Sequence, residues 1–252
     1  MSAQVLPTDG FREGPLWIFP HVGSTMDVAR DAEPVGAPLT VLARTQSAGR
    51  GRYDRVWVSP PVGGLYLTVR IPWNRPIAQA PLVSMGAALA LARVARQEGC
   101  GEVLLKWPND LLVDGAKCAG LLAEMATTPE GTSLMVGIGL NVATDQAILS
   151  RIDQPATSLS RSSGRTLDID AILKELLSGW TDIDRSLERH GFGALAEEYR
   201  EHSDLAGREF RLATAGTEEL VRFVRVNDDG SLTVRRPDGG LFVTYGGELL
   251  AP

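Results

Sequence analysis

Four apolar segments follow one another between residues 102 and 142 with no helical pattern between them: EVLLKW (102–107), LLVDG (111–115), KCAGLLAEM (117–125) and SLMVGIGLNV (133–142). Asp114-Gly115 joins the second to the third and is good chemistry for a tight hairpin. Here the chain has to build sheet. Further strand patterns stand at 16–20, 39–46 and 63–71, and helical patterns at 24–32, 81–98, 169–189 and 193–201. In the helix at 81–98, Pro81 sits in the first turn, Leu82, Met85, Leu89 and Ala92 share one face, and Gly99 follows as a stop. The sum predicts an α+β protein with a mixed, largely antiparallel sheet. From Leu205 the texture changes to short alternating strands (GREFRLAT, LVRFVRV, SLTVRRP, LFVTYGG) separated by Asp229-Gly230 and Asp238-Gly239. That run predicts a small SH3-like β-barrel over 205–252, appended to a larger unit over 1–204.

The protein is 44% hydrophobic and 22% charged, an ordinary globular balance. No apolar run reads as approaching the roughly 18 residues of a membrane span. The opening MSAQVLPTDG has neither a basic nor an apolar leader segment. Only Cys100 and Cys118 occur, so no disulfide framework is expected, and the reading is a reduced, cytoplasmic protein without a membrane partner. A formal net charge of −6 argues against broad nucleic-acid binding and leaves room for a local anion site.

Such a site has a candidate. The segment RTQSAGRGRYDRVWVSP (44–60) holds Arg44, Arg50, Arg52 and Arg55 against Asp54 alone. Gly49 and Gly51 would let backbone approach a ligand, arginines supply planar forks for phosphate or carboxylate oxygens, and Trp57 offers a stacking face. A solvated basic loop followed by a core tryptophan fits the same residues. In LKWPNDLLVDGAKCAGLLAE (105–124), Pro108 biases Trp107 towards extended backbone, and Asn109 and Asp110 fall at a strand end. Lys117 follows the hairpin turn, and Gly120 removes a side chain where something must come close. Taken alone, Lys117 and Lys106 also read as ordinary solvated lysines. GIGLNV (137–142) lacks the third glycine and the helix of a dinucleotide fingerprint.

Taken together and in order, GSTMD (23–27), GRGRYDRVW (49–57), GGLYLT (63–68), KWPND (106–110), KCAGLLAE (117–124) and GIGLN (137–141) strongly resemble the biotin–protein ligases. YGGEL (245–249) fits that family's small terminal domain less specifically. The resemblance implies the sheet-and-helix fold shared with class II aminoacyl-tRNA synthetases. It also implies two steps: biotin and ATP give biotinyl-5′-AMP, and a lysine of a biotin carboxyl carrier domain then takes the biotin. By the same resemblance, Arg52 and Lys117 are the catalytic pair. Ser24, Thr25, Gln46, Arg50, Gly51, Arg52, Gly63, Gly64 and Lys117 surround biotin. Arg52, Arg55, Trp57, Asn109, Lys117 and Asn141 hold ATP. Magnesium would arrive with the nucleotide, and Asp110 has two roles open to it, contacting that ion or holding its turn. Met26 stands where the family often has asparagine. Only about 15 residues precede the first expected strand, too few for a further domain of roughly 50, so no operator DNA is expected. A homodimer is left open.

Two other readings share parts of this pattern. A lipoate–protein ligase shares the fold and the adenylation chemistry, but its Arg-Arg and triple-glycine signature is missing here. A nucleic-acid-binding module would use the arginine loop and the terminal β segment. There Arg208, Arg211, Arg222, Arg225, Arg235 and Arg236 are balanced by acids. His21, His190 and His202 show no metal-ligand spacing.

Overall fold

The computed structural model describes residues 3–203, 205–214 and 217–250. Thirteen strands can be numbered among them. The first eight are β1 (Gln4–Leu6), β2 (Leu16–Phe19), β3 (Leu39–Ala43), β4 (Gly64–Pro72), β5 (Val103–Lys106), β6 (Asp110–Val113), β7 (Ala116–Thr128) and β8 (Gly131–Asn141). They form one sheet in the order β1-β2-β3-β4-β8-β7-β6-β5. Only β2 and β3 pair in parallel; every other ladder is antiparallel. The exception follows from α1 (Thr25–Asp31), which carries the chain from β2 back to the start of β3. β1 was not foreseen, since three residues carry too little pattern to read.

The helix α2 (Ala80–Gln97) and the later α5 (Ile169–His190) and α6 (Gly193–Glu201) fall where their patterns predicted; between them lie two short turns of helix, α3 (Gln146–Leu149) and α4 (Leu159–Ser163). α2 is not the one-faced helix that was expected. Thirteen of its residues are buried, because it is packed between the sheet and α5. Gly86 permits the approach, since a Cβ there would meet Ile183 at 2.9 Å and Leu187 at 3.1 Å. The segment Ile77–Gln97 is also long and apolar enough to pass for a membrane span, against the sequence reading, but 67% of that window is buried inside the protein. Its apolarity is that of a core helix.

The two faces of the sheet differ. Cross-strand pairs Leu65↔Leu140, Leu67↔Ile138 and Val69↔Val136 join the core with α2. Their neighbours Tyr66↔Gly139 and Thr68↔Gly137 point to the opposite face, where α1 lies. Arg70, 3% exposed, fixes α1 there. It donates to the carbonyls of Ala29, Ala32, Pro34 and Ala37 at 2.7–3.0 Å, which satisfies the free end of the helix with a cation of the favoured sign.

Beyond α6, β9 (Glu209–Thr214), β10 (Thr217–Val226), β11 (Leu232–Arg235), β12 (Leu241–Thr244) and β13 (Glu248–Leu250) make a second sheet, ordered β12-β11-β10-β9-β13. The expected barrel is not closed: β12 and β13 are its two edges, with no ladder between them among the described residues. Residue 204, at the expected boundary, lies outside the described residues. Trp107, buried at the end of β5, donates to the carbonyl of Gly230 (3.1 Å) and ties the second sheet to the first.

Candidate active site

The arginine segment folds as a tight hairpin rather than an open glycine loop. Arg50 bridges Val56, Gly51 N–H donates to Arg55 O (2.7 Å), and Trp57 N–H donates to Gly49 O (2.9 Å). Tyr53 and Asp54 at the tip have φ of 55° and 57°, the positive pair of a type I′ turn. Gly49 is needed by the hairpin itself, since a Cβ there would meet Ser59 Oγ at 2.8 Å. The returning strand delivers Trp57 onto the sheet, over Gly120 of β7 and Gly139 of β8, which are cross-strand partners. Together they leave a patch of bare backbone under the indole.

Lys117 reaches the same face through a fault in the ladder. Leu111 pairs with Ala119, but Leu112 pairs with Lys117, so Cys118 is the extra residue of a β-bulge. Strict alternation would send Lys117 with Ala119 to the core side. The bulge turns it to the Gly120 side, where its Nζ lies 2.9 Å from Asp110 Oδ1 and 5.8 Å from the Trp57 ring centre. Burial pushes the Cys118 thiol above its ordinary pKa, which suits a core filler.

A cavity of about 110 Å³ opens between α1, the hairpin and this patch. Its lining includes Ser24, Thr25, Gln46, Arg50, Gly51, Arg52, Arg55, Trp57, Asn109, Asp110 and Lys117. Ser24 caps α1, accepting from Met26 N–H at 3.3 Å. Gln46 Oε1 accepts from Thr25 N–H and Oγ1 at 2.8 and 3.1 Å, and its Nε2 donates to Ser59. Met26 is buried against Gly137. Asn109 accepts from Arg52 Nη1 (3.1 Å) and donates to Leu121 O (2.8 Å), so it props the arginine as well as facing the cavity.

Three expected residues are not brought to this cavity. Gly63, at φ 89°, accepts from the N–H groups of Val142 and Ala143, and a Cβ at Gly64 would collide with the Tyr66 ring. Both glycines serve the join of β4 and β8 rather than the cavity wall. Asn141 is buried, donates to Thr157 O (3.1 Å), and lines a smaller cavity of about 40 Å³ that shares Val56, Trp57, Lys117 and Gln154 with the first. Trp57 lines both.

Sequence reasoning missed the second sheet's contribution. Arg52 Nη2 donates to Gly247 O (3.0 Å), and Arg55 makes a bidentate pair with Glu248, which also lines the cavity. The Glu248 carboxylate raises the Arg55 pKa. Lys106, across the ladder from Asp110, has its pKa lowered by burial. Asp110 and Glu248 are the carboxylates on the cavity wall, and among the described residues no three His, Cys, Asp or Glu side chains gather as a metal set.

A cavity walled by the guanidinium groups of Arg50, Arg52 and Arg55 and the ammonium group of Lys117 suits an acidic ligand. The class agrees with this: residues 19–142 match the Biotin/lipoate A/B protein ligase family. The biotin–[acetyl-CoA-carboxylase] ligase of Paracoccus denitrificans is 33% identical over 205 residues, covering 79% of this chain and 85% of that protein. The chain belongs to the biotin–protein ligases. A biotin protein ligase from Aquifex aeolicus in complex with biotin and ATP shares the fold with a TM-score of 0.78 at 24% identity, covering 93% of this chain and 97% of that one. One from Leishmania major in complex with biotinyl-5-AMP aligns at 0.64 and 27% identity, covering 91% and 98%.

Proposed function

We propose that this protein joins biotin to ATP as biotinyl-5′-AMP and passes the biotinyl group to a lysine of a biotin carboxyl carrier domain. In the first step a biotin carboxylate oxygen attacks the α-phosphorus and pyrophosphate leaves. In the second the carrier amine attacks the acyl carbon, loses a proton, and AMP leaves. Two unit charges 4 Å apart at an effective dielectric of 20 repel by about 4 kcal/mol, so joining two anions needs fixed positive charge. The reading is carried by one observation: Arg52, Arg55 and Lys117 line a single cavity together with Ser24 and Thr25.

Arg52 and Lys117 lie where the carboxylate and α-phosphate would meet, Arg55 takes the distal phosphates, and Trp57 packs on the adenylate. Ser24, Thr25 and Gln46 bond the ureido head, with Met26 as apolar floor. Arg50 and Gly51 close the pocket through the hairpin, and Asn109 supports the nucleotide side through Arg52. Asn141 reaches the nucleotide only if Trp57 yields the space between the two cavities. Magnesium, an ion that keeps several waters, would arrive on the triphosphate and could draw Asp110 from its pair with Lys117, while Glu248 stays engaged with Arg55. We take residues 1–204 as the catalytic unit and 205–252 as a small SH3-like unit that lends Gly247 and Glu248 to the hairpin. The nucleic-acid reading loses ground because Arg211, Arg222 and Arg236 are paired with Glu218, Glu209 and Glu219.

The test is incubation with biotin, ATP, magnesium and a carrier domain, followed by intact-mass measurement. The carrier gains one biotinyl group only when ATP is present. A carrier of unchanged mass, with no pyrophosphate released, would refute the reading.

A further inference from the structure

The base of the arginine hairpin rests in a ring of alternating charge, and apart from Arg50 no part of the chemistry above uses its members. Arg50 Nη1 donates to Asp27 Oδ1 (2.7 Å), and Arg30 Nη1 donates to the same oxygen (2.8 Å). Arg30 Nη2 reaches Glu124 Oε2 (2.9 Å), which stands 3.7 Å from Arg50 Nη2. Two cations and two acids thus join the hairpin, α1 and β7, and all four side chains are partly exposed. Arg50 is also the residue that bridges Val56, so holding it holds both legs of the hairpin at once. Asp27 lies in the first turn of the helix that presents Ser24 and Thr25 to the cavity. A carboxylate on that helix therefore holds the base of the hairpin that carries Arg52 and Arg55.

We propose that Asp27 and Glu124 are positioning residues for the reaction. Through Arg50 they anchor the hairpin against the biotin end of the pocket, with Arg30 as the cation that lets the two acids share it. The proposal rests on the functional reading above. Its sign separates it from plain charge: removing an acid near the pocket should draw anionic ATP in more strongly, whereas loosening the hairpin weakens ATP.

The experiment measures initial rates and trypsin nicking on the full chain. Asp27→Asn and Glu124→Gln should each raise KM for ATP about three- to fivefold, with kcat within about twofold, and Asp27→Glu should recover part of the loss. Trypsin should cut after residues 50–55 faster in both variants at unchanged Tm. The Asp27→Asn effect should vanish in an Arg50→Met background. A KM that falls or stays level, a kcat loss at constant KM, or undiminished effects without Arg50 would overturn it. Should the wild-type protein load no biotin, the functional reading falls and the positioning role with it, and the trypsin comparison still decides whether the two acids anchor the hairpin.

Discussion

Gly139→Ala tests the bare patch under Trp57 with a single methyl group. The glycine has no positive φ, so alanine strains no backbone there and acts only through space. Its Cβ would lie 2.7 Å from Trp57 Cδ2 and closer still to Cε2 and Nε1. Carbon atoms rest about 3.5–4.0 Å apart, so the indole has to retreat by about 1 Å or more. Overpacking of this kind costs about 1–3 kcal/mol, and each kcal/mol lowers Tm by about 2–4 °C in a chain of this size. Gly120→Ala is the milder companion, meeting Trp57 Cζ3 at 2.9 Å and the flexible end of Lys117 at 3.2 Å. Thermal or urea unfolding of Gly139→Ala, Trp57→Ala and the double variant gives the coupling. The cost of Gly139→Ala should disappear once Trp57 is alanine. An equal cost in both backgrounds, or none in the first, would show that the indole does not lie on the glycine pair.

Arg52→Ala should slow biotin-dependent pyrophosphate release about 10²–10³-fold, the usual loss when one donor to developing charge is removed; near-normal release would place Arg52 outside the chemistry. Lys106→Met should raise Tm at neutral pH. Burial lowers the Lys106 pKa, so the cost of its charge is fully present below that lowered value and fades as pH rises towards 10.5. The gain should shrink on the same schedule, and melts at neutral and alkaline pH that show an unchanging gain would refute it.

Local pattern made much of this legible. Asp114 and Gly115 take the positive φ of 51° and 75° that their turn required, and the helices from Ile169 and Gly193 begin where their patterns begin. Most residues singled out by motif line one cavity. What stayed hidden was non-local. The facing of Lys117 depends on a bulge at Cys118 that alternation cannot show. The burial of α2 on nearly all sides depends on α5, about 90 residues later. Arg50 read as a ligand clamp because nothing in GRGR names Asp27 or Glu124 as its partners. Gly49 reads from the sequence as room for a ligand, and in this structure the room is taken by the chain's own Ser59 and Trp57; the close approach expected at Gly120 is real, and it is made by Trp57 and Lys117.

The acceptors that Gly247 and Glu248 offer to the arginines stand 195 and 193 residues away from them. A ribosome therefore delivers the hairpin early and its clasp almost two hundred codons later. A nascent chain already holding every strand of the large sheet has Asn109 for Arg52 but still lacks the acceptors of Gly247 and Glu248, so the clasp closes late in synthesis. For the same reason, a tag or lesion that disturbs Glu248 acts on chemistry encoded near residue 52.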